Sequence, residues 1–168
     1  MYDAFFNTFR SVKTWSEQQI TRAANDGFVK TISGRRRYLA DIRSSDFNSR
    51  STACRQAVNT IIQGSAADIL KLSMIIIDDK FKSLLRTGHS QNSVPSLLVQ
   101  VHDELIYEVP VPNMESMTMP EIILKCQPFI NIIKHCMENT VKECMKISVP
   151  LIANIKCGLN WGEMKEYN

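Results

Sequence analysis

The stretch SLLVQVHDELIYEVP, Ser96 to Pro110, decides the fold of this 168-residue chain. It contains two apolar, β-prone runs, Leu97–Val101 and Leu105–Val109, on either side of three consecutive titratable residues. Neighbouring residues of a regular strand point to opposite faces, so one continuous strand would not bring two carboxylates into a single site. A tight turn at 102–104 removes this obstacle. The sequence therefore predicts a strand pair with His102, Asp103 and Glu104 at its tip.

The segments on either side of this strand pair predict long helices and further short strands. Apolar residues recur at helical spacing over 3–25, over 52–85 and in a helix that begins at Pro120 or Pro128 and runs to about 145. Residues 28–32 and 35–39 read as a basic hairpin, 87–95 as a linker, 111–120 as an irregular loop and 151–157 as a strand. This order predicts the α+β class, with an antiparallel sheet covered by long helices.

Composition and charge restrict the class of protein. The chain is 44% hydrophobic with a formal charge of +3, which fits one globular domain. The positive charge is concentrated in 34–37 and 43–55, so a polyanionic partner is expected. We find no unbroken apolar run of membrane-spanning length and no signal-peptide core, so we expect a soluble, intracellular protein without a membrane partner. The five cysteines have no metal-ligand spacing and are expected to be reduced thiols.

The carboxylates at the predicted tip permit two interpretations. Asp103 and Glu104 are oxygen ligands of the kind that Mg²⁺ prefers, and carboxylates that hold two metals about 3.5–4 Å apart support in-line phosphoryl transfer. The alternative is an ordinary solvated turn, which such a tripeptide usually forms. The long apolar runs on both sides favour a rigidly held site over a solvated turn.

Four motifs, in order and at matching intervals, resemble the C-terminal part of family A DNA polymerases. They are GRRRYL at 34–39, RQAVNTIIQGSAAD at 55–68, VHDE at 101–104 and G-x-N-W at 158–161. The phrase QAVNTIIQGSAADILKLSMI is most similar to the eukaryotic polymerase theta and nu branch. The resemblance implies part of a polymerase right hand, with residues 1–52 as a partial fingers subdomain and 53–168 as the C-terminal part of the palm.

The resemblance also implies roles for individual residues. Asp103 is expected to be the catalytic metal ligand, with Glu104 supporting the metal site and His102 near the primer terminus. Arg55, Asn59 and Gln63 are expected to contact primer and template. Their spacing of four residues places them on one helical face, where long donors reach minor-groove acceptors. Without the resemblance, Asn59 and Gln63 read as cap or surface residues.

The arginines at 35–37 suit contacts with DNA phosphates, because guanidinium groups bind phosphate oxygens in a bidentate manner. A plain solvated hairpin is the alternative. Strand alternation sends Arg35 and Arg37 to one face and Arg36 to the other, so at most two of the three face the same strand of DNA. Trp161, after the last predicted strand, is expected to fill the core.

Two motifs of the resembling family do not occur in these 168 residues. One is the aspartate strand of the type D-Y-S-Q-I-E, and the other is the fingers helix R-x-x-x-K-x-x-x-F-G-x-x-Y-G. We therefore expect template-directed DNA synthesis with two Mg²⁺ in the complete nuclear enzyme, whose partners are primer-template DNA, dNTP and the rest of the polymerase chain. The isolated chain is expected to be inactive. The competing hypothesis is a non-catalytic duplex-binding module or relic.

Overall fold

A computed structural model describes the backbone of residues 2–88 and 93–167 and the side chains of 5–88 and 93–167. The helices are α1 Tyr2–Thr8, α2 Arg10–Asp26, α3 Phe47–Arg86, α4 Met119–His135 and α5 Val141–Met145, with a π-helical turn Cys136–Thr140 between the last two. The strands are β1 Phe28–Lys30, β2 Arg36–Tyr38, β3 Ser96–Val101, β4 Glu104–Glu108, β5 Ile155–Cys157 and β6 Lys165–Tyr167. Short 3₁₀ turns lie at Ala40–Arg43, Met114–Ser116 and Trp161–Glu163. Helices with small antiparallel sheets agree with the predicted α+β class.

The chain forms two compact units, Met1–Asp68 and Ile69–Asn168. The division falls inside α3, which contributes residues to both units. The subdomain boundary predicted between residues 52 and 53 stays a prediction. The predicted linker at 87–95 lies partly outside the described residues.

The first unit is built around the β1–β2 hairpin. Gly27 ends α2 in the left-handed region at φ 79°, where its N–H donates to Ala23 O, and the chain enters β1 directly. β1 and β2 pair antiparallel, Phe28 opposite Tyr38. The buried core side chains of this unit are Ala23, Val29, Leu39, Ile42, Ala53 and Ala57. The helix predicted over 3–25 is divided at Phe9, whose φ of −110° and ψ of 63° leave the helical region.

The second unit packs the β3–β4 hairpin against helices. Phe81 of α3 makes edge-to-face contacts with Tyr107 of β4 and Phe129 of α4, both at 6.0 Å between ring centroids. Ile77 and Cys136 are fully buried beside them. Met137 is partly buried and packs against the same cluster, next to the π-helical turn that begins at Cys136.

The prediction of one antiparallel sheet is wrong for the part of the chain that the structure describes. That part contains three separate two-stranded sheets, β1–β2, β3–β4 and β5–β6. β5 begins at Ile155, so residues 151–154 of the predicted strand lie outside it. β6 was not predicted, because Lys165–Tyr167 lacks apolar alternation. Trp161 is 58% exposed, so its predicted core position is also wrong.

Helix α3 corrects one further expectation. It contains an 18-residue window with a mean hydropathy of 1.5, of which 22% is buried, so by length and composition it is apolar enough to cross a membrane. We expected no membrane-spanning segment because the sequence has no unbroken apolar run of that length. That criterion was too strict, because α3 reaches the required mean hydropathy without such a run. Long helices in the cores of globular proteins pass the same test, so the window is weak evidence for a membrane span.

Gly64 allows the hairpin loop to approach α3 closely. A Cβ at this position would lie 2.7 Å from Thr31 Cγ2. Thr31 is only 6% exposed, and its Oγ1 accepts the Arg35 N–H at 3.2 Å. Because a buried, β-branched side chain held by a hydrogen bond has little freedom to move, any side chain at residue 64 requires a shift of the hairpin.

We expect Gly64→Ala to lower the free energy of unfolding by about 1 kcal/mol. Overpacking destabilises a folded protein by about 1–3 kcal/mol, whereas replacing a glycine inside a helix with alanine stabilises the helix by about 1 kcal/mol. Thr31→Ser removes Cγ2 and keeps the hydroxyl, so Gly64→Ala should be neutral or stabilising in the Thr31→Ser background. Urea denaturation of the two single variants and the double variant measures this cycle. Equal destabilisation in both backgrounds would contradict the steric explanation.

Candidate nucleic-acid and metal site

The predicted strand pair is confirmed, and its tip is a two-residue turn. Val101 pairs with Glu104, so His102 and Asp103 form the turn and Glu104 already belongs to β4. His102 has a positive φ of 50°, and Gln100 Nε2 donates to the His102 carbonyl at 2.6 Å. A positive φ is uncommon for a non-glycine residue, and two-residue hairpin turns require it. The tip is thus held in a defined conformation by the backbone and by Gln100.

The chemistry of the tip suits a hard cation only in part. The side chains of His102, Asp103 and Glu104 are exposed, so the two carboxylates are accessible to a ligand. Within residues 2–88 and 93–167 no group of three or more His, Cys, Asp or Glu side chains is arranged to hold a metal ion. Two carboxylates fit Mg²⁺, which retains several waters, but the remaining ligands of a two-metal site must come from elsewhere.

Residues Arg55, Asn59 and Gln63 lie one turn apart along α3, and all three are exposed. This confirms the predicted arrangement on one helical face. The Arg55 guanidinium donates to Ser51 Oγ at 3.3 Å and to Thr52 Oγ1 at 2.9 Å. These bonds to the preceding turn direct the guanidinium along α3 towards its N-terminus. Contact of this face with DNA stays a prediction.

The predicted alternation of the three arginines is confirmed. Arg35 donates through Nε to Asp68 Oδ1 at 2.9 Å and through Nη2 to Gly64 O at 3.1 Å. Arg37 Nη1 donates to Thr60 Oγ1 at 2.8 Å, so both arginines bind α3. Arg36 points away from α3, with its guanidinium carbon 4.7 Å from the centroid of the Phe28 ring.

Asp68 is the structural residue that the sequence interpretation missed. Its side chain is 8% exposed, forms an ion pair with Arg35 and accepts a 2.5 Å hydrogen bond from Ser33 Oγ. Burial alone would raise the pKa of this carboxyl, but hydrogen bonds from Ser33, Thr31 and Arg35 outweigh burial and hold the pKa below its ordinary value. Strand alternation placed Arg35 and Arg37 on one face of the hairpin, but it did not indicate that Asp68 lies opposite that face.

Comparison with known proteins identifies the family. The sequence model of DNA polymerase family A matches residues 1–163. The chain belongs to DNA polymerase family A. It is 37% identical over 163 residues to DNA polymerase I of Streptococcus pneumoniae, covering 97% of this chain and 16% of that protein. It is 36% identical over 167 residues to DNA polymerase theta of Drosophila melanogaster, covering 98% of this chain and 7% of that protein.

A solved structure agrees with this assignment. The POL domain of Pol1 from M. smegmatis, in complex with DNA primer-template and dNTP, matches with a TM-score of 0.63 and 32% identity. The match covers 80% of this chain and 20% of that chain. This chain therefore spans only a small part of the length of these relatives. Because bacterial DNA polymerase I and theta match at nearly equal identity, these matches do not separate the two branches. The family match includes all of α3, which favours a polymerase-domain helix over a membrane span.

We expect Asp68 to make the stability of the chain depend on acid pH. A carboxyl with a lowered folded pKa contributes stability above its unfolded pKa and loses it as the pH falls through the folded value. The free energy of unfolding should thus decline below about pH 4, and this decline should be smaller in Asp68→Asn. Urea denaturation between pH 2.5 and 7 measures it, with the exposed Glu166→Gln as the matched control. An unchanged decline in Asp68→Asn would contradict this role.

Proposed function

We propose that this chain supplies part of the catalytic and DNA-binding surface of a template-directed DNA polymerase, which adds dNTP to a primer 3′ end. The observation that carries the proposal is the VHDE turn, with accessible Asp103 and Glu104, in a chain matched by family A over residues 1–163. The solved relative bound to primer-template and dNTP supports the same partners. Since the chain spans 16% of DNA polymerase I, the activity is that of a longer protein.

Asp103 would ligate Mg²⁺ and Glu104 would support the same site. When bound, a metal pair stabilises the charge on the attacking and leaving oxygens of the transferred phosphoryl group. The chain itself contributes a rigid base for the turn. Tyr107 contacts Phe81 and is partly buried, and burial raises the pKa of its hydroxyl to about 12. The contact of its ring with Phe81 anchors β4 to α3.

The proposed DNA-binding surface comprises the α3 face with Arg55, Asn59 and Gln63, and the hairpin. Exposed donors on one face can reach the sugar edges and minor-groove acceptors of a duplex. Of the three hairpin arginines, Arg36 is the best placed for phosphate contacts, because Arg35 and Arg37 are bound to α3. The Arg36 guanidinium and Lys30, whose Nζ lies 5.7 Å from the Phe28 centroid, give that outer face two positive charges.

The remaining parts of the active site are proposed to lie in the rest of the polymerase chain. Neither the D-Y-S-Q-I-E strand nor the nucleotide-binding fingers helix occurs in these 168 residues. We therefore propose that the isolated chain does not extend primers. We also infer membership of the theta and nu branch, and with it a nuclear location. The phrase QAVNTIIQGSAADILKLSMI supports that branch, and the 36% identity to theta is compatible with it.

A chimera tests the catalytic part of the proposal. Residues 1–163 replace the matching segment of S. pneumoniae DNA polymerase I, and primer extension is measured with Mg²⁺. We expect activity in the chimera and a loss of more than about 100-fold in its Asp103→Asn variant, because even outer-shell partners of a metal contribute 10–100-fold. Asp79→Asn, at an exposed residue of α3 within the exchanged segment, is the matched control. A folded chimera that extends primers equally well with Asp103→Asn would overturn the role of Asp103. The 168-residue chain alone should show no extension.

Duplex binding tests the DNA-binding part and the non-catalytic alternative. Fluorescence anisotropy of a labelled blunt duplex should show affinity that falls steeply between 50 and 200 mM salt, because phosphate contacts release counterions. Arg36→Ala and Arg55→Ala should weaken binding, whereas Asp103→Asn should leave it unchanged. Duplex binding by a folded chain whose chimera is inactive would favour the non-catalytic module. The absence of duplex binding by the folded chain at low salt would contradict the proposed DNA-binding surface and also the non-catalytic binding module.

A further inference from the structure

The outer face of the β1–β2 hairpin carries two aromatic rings and two cationic side chains. Phe28 pairs with Tyr38 across the two strands. Lys30 pairs with Arg36 two residues further along, so the second pair lies on the same face as the first. Val29, between the two positions of β1, is 5% exposed and turns to the opposite face, into the core of the unit. We call the surface formed by the four outward residues the aromatic–basic face.

Contacts among these side chains make the aromatic–basic face a preformed unit. The Phe28 and Tyr38 rings meet edge to face, with their centroids 5.7 Å apart. The Arg36 guanidinium carbon lies 4.7 Å from the Phe28 centroid, and Lys30 Nζ lies 5.7 Å from it. Both cations are within the distance at which an aromatic ring attracts a positive charge. Phe28 is therefore the centre around which the other three side chains are arranged.

The accessible groups of this face are one ring and two positive charges. Tyr38 is 71% exposed, so its ring as well as its hydroxyl is open to solvent. Among the residues that the structure describes, no hydrogen bond or ion pair engages Arg36 or Lys30, in contrast to the other two hairpin arginines. Residues 28–40 contain four cationic side chains and no Asp or Glu. The face is therefore electropositive and complements an anionic ligand.

A single strand of DNA matches this combination better than a duplex does. The faces of duplex bases are covered by their neighbours in the stack, so a duplex offers phosphates to Arg36 and Lys30 but no base to Tyr38. A single strand offers both, because its bases can stack on an aromatic ring while its phosphates contact the cations beside that ring. An acidic peptide would satisfy the two cations and leave the open ring without a matching group. The ring next to the charges therefore indicates a single-stranded ligand.

We propose that the aromatic–basic face binds single-stranded DNA, with one base stacked on Tyr38 and the adjoining phosphates bound by Arg36 and Lys30. The proposal deepens the function proposed above and rests on it for the identity of the polyanion as DNA. It adds the unpaired strand as a form of DNA that the hairpin binds, and Tyr38 as a residue that contacts it. Because stacking tolerates every base, the face does not select a sequence.

Two oligonucleotides separate the contribution of the ring from that of the charges. The oligonucleotide dT8 carries bases and phosphates, whereas an abasic oligomer of the same length carries the phosphates alone. We expect the 168-residue chain to bind dT8 about tenfold more tightly than the abasic oligomer, in line with the stacking of one base. Fluorescence anisotropy of each labelled oligomer at low salt measures the two affinities.

Variants of the face should affect the two ligands differently. Tyr38→Leu should abolish the preference for dT8 and leave the affinity for the abasic oligomer unchanged, whereas Tyr38→Phe should retain the preference. Arg36→Gln should weaken the binding of both oligomers by the same factor and lower its salt dependence, because one phosphate contact is lost. Phe47→Leu is the matched control, since Phe47 is 70% exposed and its ring centroid lies 5.9 Å from the Arg50 guanidinium carbon. Circular dichroism verifies that each variant folds.

The outcomes separate this inference from the proposed function. Equal affinity of the folded chain for dT8 and the abasic oligomer, or no binding of either, overturns the stacking site, and blunt-duplex binding then decides the duplex surface by itself. A preference for dT8 that persists in folded Tyr38→Leu, or that Phe47→Leu removes, also overturns the stacking site. A preference that Tyr38→Leu alone removes supports the site even where the polymerase chimera is inactive.

Discussion

The contact between the basic hairpin and α3 is the constraint on which the first unit depends. Two features create it, the ion pair between Arg35 and the nearly buried Asp68, and the missing side chain at Gly64. Ser65 Oγ adds a bond by accepting the Ile32 N–H at 2.9 Å. Because Arg35 satisfies both the Asp68 carboxylate and the Gly64 carbonyl, the burial of that charge is compensated. A change at any of these positions alters where the arginines are presented.

The same contact explains why three consecutive arginines have different tasks. Strand alternation turns two of them towards α3, where they position the hairpin, and leaves Arg36 on the outer face. Three arginines that look equivalent in the sequence therefore differ in role. Arg35 and Arg37 fix the hairpin to α3, and Arg36 is exposed on its outer face.

Local patterns in the sequence were sufficient for much of the fold. Periodicity located the long helices, and alternation located the β1–β2 and β3–β4 hairpins and the face that Arg36 occupies. The break at Phe9 and the strand β6 have no such pattern, since neither glycine, proline nor apolar alternation marks them. Asp103 was found because the motif around it is specific to a family. Asp68 was missed as a partner of Arg35 because a pairing over 33 residues has no local signal.

The π-helical turn at Cys136–Thr140 has a consequence for how this segment tolerates changes in length. A π turn accommodates one residue more than the α-helix around it needs. Deleting one residue there would let α4 and α5 join as an uninterrupted α-helix, with Ile130 and Val141 still able to face the core. Elsewhere in α4 the same deletion would rotate all later side chains by about 100°, since a helix has 3.6 residues per turn. Single-residue length variation among family members is therefore most readily absorbed at this turn.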